Sequence, residues 1–138
     1  MFKNNRSGFY EIEHTADWAL KVWAPSAGDL LVQAARGMYT LMGITLKPGE
    51  REWREVAISA TDLESLLVIF LSELLYLLEL DRLGFDQFEV DIKEMDLNAH
   101  LVGAPVLTQS KEIKAVTYHN LKITEKVDGL EVTIVFDV

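Results

Sequence analysis

Residues 61–80 constrain this chain more than any other stretch, because they hold the densest apolar run of helical length. Leu63, Leu66 to Leu71, Leu74, Leu75, Leu77, Leu78 and Leu80 leave only a narrow polar stripe through Ser65, Ser72, Tyr76 and Glu79. A helix that is apolar nearly all round has to be buried. Thr61 and Glu64 stand three residues apart, the spacing of a capping box, which predicts that the helix starts at Thr61. The run is a poor membrane span: Ser72 and Glu73 interrupt it and Glu79 and Asp81 end it, whereas a span needs roughly 20 mostly apolar residues. Each buried Leu or Phe contributes about 1.5–3 kcal/mol, so a dozen outweigh an ordering cost of about 1–2 kcal/mol per residue. The expectation is a core helix packed against a sheet.

The remaining sequence supplies that sheet. Alternating residues read as strands over 10–14 and 18–23, joined by a turn at 15–17. Ser26 with Asp29 opens a second helix. Ala27, Leu30, Leu31, Ala34, Ala35, Met38, Leu41 and Met42 recur at helical spacing in it, small residues including Gly37 permit close packing, and Gly43 ends it. Further strands are expected over 53–59, 85–92, 97–102, 112–123 and 130–138, with Asp128 and Gly129 in a tight turn and 103–110, containing Pro105, as a surface loop. Strands in hairpin order with two helices make an α+β fold: one compact domain over 1–138 with a flexible tail at 1–8, and a mainly antiparallel or mixed sheet of about six to seven strands packed with two helices.

Bulk composition narrows the function. The 138 residues suit one domain, and 49% hydrophobic content with three prolines is not that of a disordered chain. The absence of cysteine excludes disulfides, thiolate catalysis and thiolate zinc sites. No apolar segment with a cleavage site follows Lys3 and Arg6, so the expected location is the cytoplasm, with no membrane partner. A formal charge of −9, from 22 acidic against 13 basic residues, disfavours direct binding to DNA or to RNA through a broad basic surface.

Three stretches fit a plain scaffold poorly. Residues 13–17 crowd polar groups at a turn, where Asp17 on spacing alone reads as a turn cap. At the end, Val132, Ile134, Phe136 and Val138 share one strand face and Asp137 the other, which holds Asp137 and the Val138 carboxylate in place. Lys114 sits in a strand whose two faces are both mixed.

Together, EHTAD at 13–17, DLESLL at 62–67, SELLYL at 72–77, IKAVTYH at 113–119 and FDV at 136–138 resemble the archease family over nearly the whole chain and in motif order. The resemblance implies a non-catalytic, metal-binding accessory of an RtcB-type RNA ligase. Such a protein promotes the ligase's guanylylation and multiple turnover in tRNA splicing and RNA repair, and meets RNA only through the ligase. Carried over by motif, the implied metal ligands are Asp17, Asp137 and Val138, the last through main-chain oxygen, with Lys114 a candidate for ligase activation. The residue chemistry agrees if the two ends meet on adjacent strands. Carboxylates ~4 Å apart repel by about 4 kcal/mol at an effective dielectric of 20, and an all-oxygen set suits calcium, magnesium or manganese. The competing possibility is that Lys114 alone neutralises a structural carboxylate pair. His14, His100 and His119 are not assigned as ligands, and His100 has no partner evident in the sequence. Two other functions compete: a metal-dependent phosphoester hydrolase, which lacks a phosphate-cradling loop, and a holdase chaperone, which needs an exposed apolar patch.

Overall fold

The computed structural model describes residues 6–12 and 18–138. Two antiparallel sheets enclose two helices. The first sheet holds β1 (Gly8–Ile12), β2 (Trp18–Ala24) and the C-terminal strand β9 (Gly129–Asp137), with β7 (Ala115–Val116) and β8 (Thr124–Lys126) both pairing β9. The second is built around β6 (Asp96–Thr108), which pairs β4 (Glu52–Ser59), β5 (Leu83–Lys93) and the short β3 (Thr45–Leu46). Helices α1 (Ala27–Met42) and α2 (Leu63–Asp81) each touch both sheets, so the α+β class read from the sequence holds. Among the described residues the strands number nine, because three of them are only two or three residues long. Among the described residues, no helix is long and apolar enough to cross a membrane.

Local chemistry explains the element ends. Ser26 caps α1 by accepting from the Asp29 amide, and Gly43 closes it at φ 66°, a left-handed position that glycine occupies without strain. The small side of α1 lies on the first sheet: a Cβ on Gly37 would stand 2.5 Å from Leu20 Cδ2. In α2 the expected capping box is replaced. Asp62 is the N-cap, its carboxylate accepting from the Ser65 amide at 2.8 Å, and the Thr61 hydroxyl donates to that carboxylate. A charged acceptor makes the stronger bond to the orphan amide, so the helix starts one residue later than the Thr61–Glu64 spacing suggests. Glu64 instead accepts from the Ile123 amide at 2.9 Å, fixing the chain before β8.

Two other expectations are corrected. Residues 103–110 are not a surface loop, since β6 runs on through Pro105 to Thr108. Pro105 needs no ladder amide there, because it lies between the end of the β4 register at Gly103 and the start of the β3 register at Val106. Residues 112–123 form no long strand. Only Ala115 and Val116 pair with β9, after which Asn120 at φ 51° turns the chain. The β5–β6 turn is also special: Glu94 (φ 50°) and Met95 (φ 67°) both take left-handed backbone, the geometry of a two-residue hairpin loop, without glycine or asparagine to announce it.

Candidate functional site

The site is assembled around the last residues of β9. On one side β2 runs antiparallel to β9 and its first residue, Trp18, pairs with Phe136. On the other, Ala115 pairs with Asp137 and the Lys114 amide donates to the Asp137 carbonyl at 2.8 Å. The Thr117 amide and hydroxyl both donate to the Val135 carbonyl, at 3.0 and 2.9 Å. The end of β9 is therefore an inner strand, held from both sides. Alternation buries Val132, Ile134 and Phe136 and turns Asp137 outward. Val138 lies past the strand and is 37% exposed, rather than continuing the apolar face.

Among the described residues, neither the Asp137 carboxylate nor the Lys114 ammonium takes part in a hydrogen bond or ion pair, so Lys114 does not neutralise Asp137. Asp17 and the rest of 13–17, His14 included, lie outside the described residues. The chain on either side of them is paired, Ile12 with Ala19 and Trp18 with Phe136. Asp137 and Val138 offer hard oxygen donors of the kind that calcium, magnesium or manganese takes, and thus fit such a cation in donor type. Among the described residues, no three acidic or histidine side chains cluster as a complete ligand set, so the fit as a full site turns on Asp17.

Lys114 also lines a cavity of about 330 Å³ between the C-terminal half of α2 and residues 109–116, with Ser72, Tyr76, Glu79, Arg82 and Glu112. Four of the five motif stretches thereby converge. SELLYL and IKAVTYH share this cavity, FDV pairs with the latter, and DLESLL sends Glu64 to the Ile123 amide just beyond it. Arg82 and Gln109, which bond to each other at 3.1 Å, were not evident from the sequence. Arg82 ends α2 at φ 53°, where a glycine would have marked the place, and Gln109 follows a strand that Pro105 disguises.

Neither described histidine, His100 or His119, belongs to a metal-ligating cluster among the described residues. The His119 ring meets the neighbouring Asn120 amide at 3.3 Å. His100, without an evident partner in the sequence, faces Glu55 across the β4–β6 ladder, its Nδ1 2.7 Å from the carboxylate, and stacks on Trp53.

Residues 9–138 match the model of the family described as Archease protein family (MTH1598/TM1083). The chain is 35% identical over 136 residues to protein archease of Methanosarcina barkeri, covering 92% of this chain and 93% of that one. To protein archease of Methanopyrus kandleri it is 37% identical over 127 residues, covering 86% and 90%. The solution structure of Methanobacterium thermoautotrophicum protein 1598 superposes with a TM-score of 0.71 at 22% identity, covering 95% of this chain and 99% of that one, a likeness of fold. With a family match over nearly its full length and relatives this similar, the chain belongs to the archease family.

Proposed function

We propose that this protein is a non-catalytic accessory that binds a divalent cation at the end of β9 and activates an RtcB-type RNA ligase. Family membership supports the class of function. The observation that carries the site is the double clamp on β9, which holds Asp137 outward with its carboxylate unengaged among the described residues and lets β2 begin opposite Phe136. Chain continuity puts Asp17 next to Trp18, and the motif carries the ligand role to Asp17, Asp137 and the main-chain oxygen of Val138. A bound cation would neutralise these acidic groups and present positive charge to a phosphoryl group. The chain's own part is to hold Asp137 at the end of a strand clamped from both sides, and to keep the Lys114 ammonium unpaired among the described residues while its backbone amide bonds the Asp137 carbonyl. Lys114 is then a donor for phosphate oxygens at the ligase's nucleotide.

The test is multiple-turnover RNA joining by the cognate ligase at limiting ligase, with the wild-type protein, with Asp137→Ala, and with neither. Wild type is expected to restore turnover, and a folded Asp137→Ala to lose it together with calcium or manganese binding by calorimetry. If wild type leaves an active cognate ligase unchanged, the activator reading fails. If Asp137→Ala activates normally, the metal site fails while the activator reading stands.

A further inference from the structure

A second cavity, of about 730 Å³, shares no lining residue with the one that holds Lys114. It opens between the C-terminal half of α1, the turn leading through β3, Phe9 of β1 and the start of β5. Its chemistry runs against the rest of the molecule. In a chain of net charge −9, this lining carries Arg36, Lys47 and Arg51 against the single carboxylate of Asp86. Asp86 engages one nitrogen of Arg51, the Arg36 guanidinium lies 5.6 Å over the Phe88 ring, and the Lys47 ammonium has no ion pair among the described residues. The same lining holds three aromatic residues, Phe9, Tyr39 and Phe85.

Tyr39 is the second, independent pointer. It is only 7% exposed, and its hydroxyl has no hydrogen-bond partner, sitting near the Phe85 backbone without reaching bonding geometry. Burial pushes the phenol's pKa up, so the group stays protonated and keeps a donor to offer. A buried polar atom left unpaired calls for an explanation; this hydroxyl is closed off in the structure, and a ligand acceptor in the cavity that Tyr39 lines supplies one once the side chains over it shift. Planar guanidinium and ammonium donors together favour phosphate oxygens, and aromatic walls favour a flat apolar body.

We propose that this cavity binds a small aromatic phosphomonoester, its ring against Phe9, Tyr39 and Phe85 and its phosphate between Arg36 and Lys47. A nucleoside monophosphate and a simple aryl phosphate share this chemistry. The experiment is an amide NMR titration of the whole protein with adenosine 5′-monophosphate, phenyl phosphate, adenosine and inorganic phosphate, repeated on Lys47→Glu and Tyr39→Phe. At least one of the two aromatic phosphates is expected to bind saturably, with shifts centred on Phe9, Thr40, Ile44 and Phe85, and Lys47→Glu to weaken it by about tenfold or more. Tyr39→Phe is expected to weaken binding several-fold while its Tm stays level or rises, because an unpaired hydroxyl is removed. Binding of the adenosine phosphate alone marks a nucleotide site, and binding of both marks a general aryl-phosphate site. The proposal is overturned if neither saturates at these residues, if adenosine or inorganic phosphate alone binds as tightly, or if Lys47→Glu binds as well as wild type.

Discussion

At the residue scale, the helix caps show how near-equivalent side chains are sorted by physical strength. Thr61 and Asp62 both have capping chemistry, and the carboxylate takes the Ser65 amide while the hydroxyl becomes its donor. These bonds, first that to the Ser65 backbone, hold the Asp62 carboxyl below its usual pKa. Because the folded-state pKa is depressed, the stability this group contributes is fully present above its unfolded value, near pH ~4, and is lost as pH falls through the lower folded value. Asp62→Asn keeps a cap that does not titrate. Its melting temperature should therefore lie below that of wild type at neutral pH and approach it as pH falls below about 4, in paired thermal melts. A constant gap across that range would show that the carboxylate charge is not what favours Asp62 as the cap.

Elements were legible wherever periodicity and burial agree. The two faces of α2 make this measurable: Leu67 is fully buried, whereas Ile69, two residues on, is 39% exposed. Leu67→Ala should cost about 2–5 kcal/mol in urea unfolding and Ile69→Ala no more than about 1 kcal/mol, although the two residues have similar hydropathy. Equal costs would mean that α2 is not seated as described. The same periodicity places the tryptophan of β4. In β4, Val56 and Ile58 take the even, inward positions, so Trp53 is out of phase with them and stands 59% exposed, against His100. Period two alone puts it there. What could not be read was geometry set by a distant partner. Gly103 faces the β5 bulge so closely that a Cβ would stand 1.8 Å from the Gly84 carbonyl oxygen, and only this contact explains why the glycine marks a strand interior and not a loop. Likewise Glu64 finds the Ile123 amide 59 residues away, and no local spacing encodes it. For the candidate site, the order and alternation of β9 placed Asp137 outward correctly. The clamp by Lys114 and Thr117 needed the fold, because residues 112–123 looked like a full strand and make only a two-residue one.

At the scale of the whole molecule, charge would decide how this protein meets a basic partner such as the proposed ligase. Twenty-two acidic side chains against 13 basic ones give a field that repels polyanions and attracts a basic protein, while the core that holds the fold contains no buried charged residue among those described. The two properties therefore respond differently to salt. If the partner is a basic RNA ligase, raising ionic strength from well below to well above physiological should slow encounter by about tenfold or more, since steered association falls steeply as the Debye length shrinks. The melting temperature of this protein should change little over the same range, because its stability rests on apolar burial and ion pairs such as Arg51–Asp86 and Lys126–Glu131 reach solvent. Stopped-flow association with the cognate ligase, set beside thermal melts in the same buffers, separates the two. An association rate that stays flat with salt would mean that the acidic surface does not guide docking, and recognition would then fall to the exposed apolar side chains of α2 and β4, Ile69, Tyr76, Leu80 and Trp53.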